Sequence, residues 1–394
     1  MAELAGRHLL LLQGPAGPFF ARVARQLRAA GARVTKVNFN GGEDLYYRAP
    51  DVVRYRGTRA DWPAFFEQLV RERGVQAVVL FGDCRPLHRA AIERARALGV
   101  VVHVFEEGYL RPDFVTLERD GVNGHSRIPQ DPAEFMRLEA APEPPHRPVE
   151  HAFIKSALHT VAYASATALA KNRYPLYEHH RDIRPLPQAR LWFRGTVQRV
   201  VHTVRDRALA AKLEARQMAP YFFVPLQVHL DSQLTHSRYD DVGEFIAEVM
   251  KTFAEHAAQA HVLILKLHPM DRAYRDYAGE VAELTRQYGL HGRVFYVDVI
   301  NLPAALRGAL GTIVINSTVG LSSLTHGTPV KCLGRAVYDI AGLTHQGSLA
   351  EFFRDPGTVD RDLYKQFRRW LLANNQLNGS VWSRLYEDPS RLVR

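Results

Sequence analysis

The sequence predicts an α/β protein made of two doubly wound, mainly parallel sheets with a basic helical segment between them. Three observations carry this. Apolar runs of strand length alternate with runs of helix length over the first third of the chain and again from Tyr221 onward. The 394 residues exceed what one hydrophobic core holds, so two domains of ordinary size are expected. A hydrophobic fraction of 46% with 23% charged residues is that of a folded globular chain.

The first set opens with a strand over Leu9–Leu12, halted by the turn from Gly14 to Pro18 and followed by a helix from Phe19 to Ala30. A strand over Arg33–Val37 ends in Asn38-Phe39-Asn40-Gly41-Gly42. A helix over Trp62–Glu72 precedes the strand Ala77–Phe81, which runs into Gly82-Asp83-Cys84-Arg85-Pro86. A helix over His88–Leu98 leads to the strand Val100–Phe105, closed by Glu106-Glu107-Gly108-Tyr109. Strands separated by helices imply parallel pairing, since a parallel crossover needs that length of chain. Prolines at 142, 144, 145 and 148 then break the pattern.

A second set follows. Strands over Tyr221–Leu226, His261–Leu267, Val294–Val299, Thr312–Ile315 and Pro329–Leu333 alternate with helices over Val242–His256, Ala278–Tyr288 and Leu302–Arg307. Arg361–Asn374 is a terminal helix that can pack back on the first domain. The expected organisation is 1–140 as the first α/β domain, 141–219 as a basic helical segment, 220–355 as the second α/β domain and 356–394 as C-terminal helices. Two such sheets facing each other across a cleft form the GT-B arrangement, with Rossmann-type halves.

Charge is unevenly placed. The net charge is +10, and between His151 and Pro220 twelve Lys or Arg stand against four Asp or Glu. Such a segment, rich in aromatic residues, suits an anionic lipid surface, nucleic acid, or simply a solvated helix. Cys84 and Cys332 lack metal-ligand spacing and predict a reducing compartment. The apolar run at Leu9–Leu12 is too short for a secretory signal, and no stretch reaches the roughly 20 apolar residues that cross a bilayer.

The groups suited to chemistry fall where strands end, the edge at which open sheets bind ligands. Glu106 and Glu107 are adjacent carboxylates, so burial and repulsion are expected to raise one of their pKa values into the general acid/base range; a cap or a salt bridge to Arg111 is the structural alternative. His268-Pro269 ends an apolar strand, and the proline fixes the turn that aims the imidazole. Asn316-Ser317-Thr318 precedes a helix whose first N–H groups suit a phosphate. Asp231, with Gln227 and Gln233 near it, is an unusually polar end for a strand beginning Tyr221-Phe222-Phe223, and a candidate catalytic carboxylate. Lys266 lies on the same strand as His268, as an electrostatic helper or an exposed side chain. Asp83, Arg85 and Gly14 stand at strand ends of the first domain. A Walker loop, a Gly-x-Gly-x-x-Gly fingerprint and His-Glu-x-x-His are all missing, and no Asp-x-Asp stands at a strand end. A metal-free reaction of a nucleotide-linked substrate, without a cofactor, is therefore expected.

Leu11–Phe20, Asn38–Gly42, Phe81–Pro86, Phe105–Asp113 and Val224–Gln233 together resemble capsule polysaccharide biosynthesis proteins of the KpsS/LipB type, from about Arg7 to Asp355. At the motif level the chain is also similar to bacterial sialyl- and polysialyltransferases, through Glu106-Glu107-Gly108, His268-Pro269 and Ser317-Thr318. The resemblance implies a GT-B β-Kdo transferase that uses CMP-Kdo, acts on a lysophosphatidylglycerol acceptor, and works at the cytoplasmic face of the inner membrane with other capsule biosynthesis and export proteins. A lipid acceptor gives the basic segment a purpose and sets nucleic acid aside. Retention through a covalent sugar–carboxylate intermediate would make Asp231 the nucleophile. Glu107 or Glu106 would deprotonate the acceptor, His268 would steady the departing CMP, and Ser317 and Thr318 would hold its oxygens. Arg85 and Arg111 are left as alternatives for the Kdo carboxylate or the acceptor phosphate. An inverting transferase and a non-catalytic glycolipid scaffold are the competing readings.

Overall fold

A computed structural model describes residues 4–138, 143, 146–149, 152–179, 184–229, 231–391 and 393. Pro142, Pro144 and Pro145, expected to break the pattern, lie outside the described residues.

The elements run in chain order as β1 (His8–Leu11), α1 (Phe19–Ala29), β2 (Arg33–Asn38), α2 (Gly41–Tyr46), β3 (Val52–Arg54), α3 (Trp62–Arg73), β4 (Ala77–Phe81), α4 (Pro86–Ala97), β5 (Val101–Glu107) and β6 (Phe114–Arg119). Next come α5 (Pro132–Met136), α6 (Ala152–Leu169), α7 (Pro185–Glu214), β7 (Tyr221–Pro225), α8 (Val242–His256), β8 (Val262–Lys266), α9 (Ala278–Gln287) and β9 (Val294–Val297). The chain closes with α10 (Leu302–Gly308), β10 (Gly311–Val314), α11 (Val319–Thr325), β11 (Val330–Cys332), α12 (Leu349–Arg354), α13 (Arg361–Asn374) and β12 (Gln376–Asn378).

Two compact units result: Met1–Arg127 with Ala141–Gln188 and Leu371–Arg394, and Ile128–Ala140 with Ala189–Trp370. The stretch expected as a separate segment over 141–219 is thus divided between them. The C-terminal stretch is divided too, and Leu371–Arg394 groups with the first unit.

In the first unit a seven-stranded sheet runs β12-β6-β5-β4-β1-β2-β3. Strands β1 to β5 are parallel, with Leu9 beside Ala77 and Phe81 beside Phe105, while β6 and β12 add an antiparallel edge. Those last two strands, like β3 and α2, were not anticipated from the sequence. β12 reads as a polar tripeptide because its buried Gln376 serves hydrogen bonds: its amide donates to Thr116 Oγ1 at 3.0 Å and its carbonyl accepts from Tyr109 N at 3.1 Å. In the second unit five parallel strands run β11-β10-β7-β8-β9. β7, β8 and β10 are buried along their whole length, so they read as continuous apolar runs rather than alternating ones.

Helix α6 is held on α2 of the first unit by missing side chains and by buried polar contacts. A Cβ on Gly41 would lie 2.3 Å from the Ala166 carbonyl oxygen, and one on Gly42 2.6 Å from the Tyr163 ring. The glycine pair after Asn40 therefore serves close helix packing. Asn40 donates to Tyr163 Oη at 2.7 Å, and Gln13 donates to Tyr177 Oη at 2.7 Å. Beneath them Lys36, 2% exposed, pairs with Glu43 at 2.6 Å.

Candidate functional site

In the second unit β7 is the first strand and β10 the fourth, so the order of strands reverses between them. That reversal opens a crevice at the carboxyl edge of a parallel sheet. Asp231, Gln227 and Gln233 follow β7, and Asn316, Ser317 and Thr318 follow β10. The structure brings the two groups together: Asn316 donates its side-chain N–H to the Gln233 carbonyl at 2.8 Å. Asp231 begins a turn of 3-10 helix, accepting from Gln233 N at 3.0 Å on one oxygen and from the Gln227 amide at 3.1 Å on the other. The remaining side-chain carbonyl oxygens of Gln227, Gln233 and Asn316 are buried and meet no donor from the protein. Leaving such a group unsatisfied costs about 1–3 kcal/mol. Three of them in neighbouring segments form a surface suited to ligand hydroxyl or amine donors.

The loops after β8 and β9 supply the charge. His268 accepts from Met270 N at 3.1 Å through Nδ1, which places the hydrogen of the neutral ring on Nε2. Three residues on, the fully buried Asp271 accepts from His229 N at 2.9 Å and His229 Nδ1 at 2.7 Å. Burial raises the Asp271 carboxyl above its usual range, against the pull of these bonds. The pair ties the loop after β7 to the loop after β8, and sequence reasoning missed it. Its signal was the polar character of His268 to Asp271, but the partner lies 42 residues away.

Lys266 is buried, which removes the reading of an exposed side chain. Burial brings its ammonium down to about 8, opposed by the charge of Asp298. Asp298 ends β9 and accepts from Arg272 at 2.5 and 2.8 Å and from His202 Nδ1 at 2.8 Å. Burial works against that carboxylate, yet the Arg272 and His202 bonds keep it well below the usual range. Asp206 of α7 accepts from Asp298 N and Val299 N at 2.7 and 2.9 Å, so α7 is fixed to this edge.

The phosphate cradle differs from the expectation. Ser317 Oγ accepts from Val319 N at 3.3 Å, so one of the N–H groups counted for an anion is already satisfied. The Ser317 carbonyl also accepts from Gly320 N at 3.0 Å and from Tyr338 Oη. Thr318 caps α11 without a side-chain capping bond.

In the first unit the strand order reverses between β1 and β4. Gly14 and Arg85 meet there, Arg85 Nη1 donating to the Gly14 carbonyl at 3.1 Å. Gly14 itself packs against Phe20, where an added Cβ would come within 3.1 Å of the ring. Asp83, expected among the substrate ligands, is instead turned inward. It accepts from Val122 N and His125 Nδ1, each at 3.0 Å, and from Cys84 Sγ at 3.3 Å. Beside it lies Glu118, a buried carboxyl that sequence reasoning missed; burial raises it to about 7, and Ser126 Oγ donates to it. These bonds hold the Val122–Ser126 loop.

Glu106 and Glu107 part company. Glu107 points toward solvent and pairs with Arg111 at 3.1 Å, both side chains being well exposed. Such a pair contributes at most about 1 kcal/mol. The Glu106 side chain is partly buried, and burial lifts its carboxyl to about 7, helped by the charge of Glu107 and opposed by the Glu107 N–H bond, Arg85 and Arg111. Its Oε1 accepts from Glu107 N at 2.9 Å. Its Oε2 lies 3.4 Å from the place a Cβ on Gly82 would occupy, with Arg85 Nε 3.7 Å from the same point. Gly82, at φ +71°, is the glycine that leaves room beside the acid. Gly108 lets β5 meet β6, since a Cβ there would lie 2.2 Å from the Phe114 carbonyl oxygen.

Comparison with known proteins follows the same lines. The family model described as capsule polysaccharide biosynthesis protein matches residues 76–382. The chain is 39% identical over 376 residues to the capsule polysaccharide export protein KpsS of Escherichia coli, covering 95% of this chain and 97% of that protein. It is 38% identical over 391 residues to the capsule polysaccharide modification protein LipB of Neisseria meningitidis serogroup B, covering 97% of this chain and 93% of that protein. Among solved structures, the β-Kdo 2,7 transferase of Thermosulfurimonas dismutans KpsC aligns over 93% of this chain and 99% of that chain at 16% identity, with a TM-score of 0.41.

Proposed function

We propose, from the premise that this chain belongs to the capsule polysaccharide biosynthesis protein family, that it is a glycosyltransferase acting on the capsule's lipid-linked start. In this reading it moves Kdo from CMP-Kdo to lysophosphatidylglycerol, retains a β-linkage, and so begins the poly-Kdo linker. The observation that carries the reading is Glu106, a partly buried carboxyl beside Arg85 and the space left by Gly82, raised to about 7. A base poised there takes a proton from a hydroxyl at neutral pH.

The chemistry runs in two displacements. The Asp231 carboxylate attacks the anomeric carbon of Kdo as the bond to the CMP phosphate breaks, and the electron pair leaves with the phosphate. Lys266 and the Nε2–H of His268 offset that charge, with Thr318 as a further donor. The acceptor hydroxyl then gives its proton to a base, its oxygen attacks the same carbon, and the sugar–aspartate bond breaks. The three unsatisfied amide oxygens support a donor rich in hydroxyl and amine groups. The cations in this scheme belong to the protein, so the rate is expected to survive EDTA.

A specific observation favours a second reading. Both oxygens of Asp231 hold its own turn, which suits a positioning residue and an inverting, single-displacement transfer. The anomeric configuration of the product, read by NMR, decides between them. The test of the proposal itself is purified protein with CMP-Kdo and synthetic lysophosphatidylglycerol. Mass spectrometry should show the acceptor heavier by one Kdo or more; lipid binding without any CMP release would leave a scaffold in place of an enzyme.

Membrane docking belongs to the proposal, with the cytoplasmic face of the inner membrane as its place. No described helix is long and apolar enough to cross a membrane. On α7, Phe193, Val197, Val200, Val201 and Val204 are exposed at helical spacing, and Arg190, Arg194, Arg199 and Arg207 are exposed on the same helix. Arginines beside an apolar stripe support contact with anionic lipid. Flotation with phosphatidylglycerol vesicles should be lost when Phe193 becomes Asp and the four arginines become Gln; unchanged flotation removes α7 from this role.

A further inference from the structure

A second basic centre lies in the first unit, apart from the strand-end groups. It is a pocket of about 770 Å³ walled by α1, α6 and the C-terminal stretch after β12. Arg22, Lys155, His159 and Arg384 line it, together with Trp382 and Tyr386, and no acid stands among its described lining residues. Arg22 Nη1 is buried there without any hydrogen-bond acceptor. A guanidinium N–H kept from both water and protein is costly, and the ordinary relief is an anion.

The other cations keep donors to spare. Lys155 uses one hydrogen on Ser383 Oγ at 3.3 Å. Arg384 lies over the Tyr386 ring, 4.7 Å from its centre, which fixes the guanidinium plane. His159 bonds Tyr46 Oη at 3.0 Å through Nδ1. Its basicity is lowered first by burial and then by Arg22 and Lys155, while Arg22 is lowered by burial and Arg25, so the local field is positive. Gly17 brings the turn before α1 against this wall, since a Cβ there would lie 3.4 Å from the His159 ring.

We propose that this pocket binds a phosphate ester. The phosphoryl oxygens sit on Arg22, Lys155 and Arg384, and the attached glycerol or sugar rests on Trp382 and Tyr386. The phosphate can come from a free ester or from a lipid headgroup. The site does not depend on the transferase reading, because binding is measured without turnover.

The test uses the full chain with glycerol 3-phosphate followed by calorimetry and by tryptophan fluorescence, with Trp382→Phe to locate the optical signal. Saturable binding is expected. Lys155→Gln with Arg384→Gln, both exposed side chains, should weaken it at least tenfold, about 1.4 kcal/mol. Arg22→Met should abolish binding without lowering the melting temperature, because it removes an unsatisfied buried donor. Competition by phosphatidylglycerol vesicles but not phosphatidylcholine vesicles identifies the lipid headgroup as the source; no competition identifies a free ester. Wild type that binds neither probe saturably, or variants that bind as wild type does, overturns the site.

Discussion

Asp83 and Glu43 of the first unit have both carboxylate oxygens engaged by the protein, whereas Gln227, Gln233 and Asn316 of the second unit keep carbonyl oxygens with no donor. Both sets stand near the carboxyl edge of a parallel sheet, in segments that look equally polar in the sequence. The first edge spends Asp83 and Glu43 on its own loops, leaves Asn38 Oδ1, His88 Nε2 and one Glu118 oxygen unpaired, and keeps Glu106 beside Arg85. The second leaves hydrogen-bonding capacity unmet and surrounds it with buried charge. Groups of the first kind set shape. Groups of the second kind invite a ligand, since native proteins rarely tolerate buried unsatisfied atoms without cause.

The contrast breaks most easily at the glutamate pair. Glu106→Gln keeps the acceptor for Glu107 N and removes the base, so transfer should fall by about 10²–10⁴-fold. Glu107→Gln loses only an exposed ion pair, and should stay within about tenfold of wild type. Equal losses in a steady-state assay would erase the distinction. The wild-type profile sharpens it: the rate should rise with pH as Glu106 ionises near 7 and fall as Lys266 deprotonates near 8. A flat profile from pH 6 to 9 removes both roles.

A smaller effect tests whether the first unit is held by satisfied polar pairs. Lys36→Met strands a buried Glu43, and should cost about 3–5 kcal/mol in denaturant melts. A loss under 1 kcal/mol would show that the pair is incidental. Glu118→Gln probes the opposite sign. A carboxyl raised to about 7 when folded and near 4.5 unfolded favours folding below pH 4.5, and that contribution is lost as pH rises through 7. The variant should therefore gain stability over wild type at pH 8, on the order of 1–3 kcal/mol, and gain nothing at pH 4. Melting temperatures at the two pH values check it.

The smallest change is expected in the second unit without ligand. Gln227→Ala loses the amide's bond to Asp231 but also removes a buried carbonyl that nothing satisfies, so the two offset and stability should shift by no more than about 1 kcal/mol. Affinity for CMP-Kdo should nonetheless drop about tenfold, read by calorimetry. A large loss of stability with unchanged affinity would mean that the amide serves the fold.

Much of the frame was legible in the chain. Long buried strands such as Val262–Lys266 announce themselves by composition, and the His268-Pro269 corner marks where one stops. The short antiparallel strands were hidden because Gln376 is buried by its hydrogen bonds, a reason that no hydropathy pattern contains. Glu106 and Glu107 carry identical side chains, and only their neighbours, Gly82 and Arg85 for one and Arg111 for the other, tell them apart. Asp83 sat at a proper strand end and still turned inward, since its partners Val122 and His125 come from a loop about 40 residues further on. Asp271 was overlooked for the same cause: it looks ordinary until His229 is beside it.

The glycines at 41 and 42 hold one further lesson. Their function is a socket, specified by atoms that must not exist, and any residue there would push α6 off its seat. A search that uses Asn40-Gly41-Gly42 as a signature for related chains therefore selects for a docked helix, and says nothing about which sugar or lipid they handle. Grafting the first sheet onto another scaffold without α6 would leave the opening for that helix exposed to water, along with the Asn40 and Gln13 amides that now bond its Tyr163.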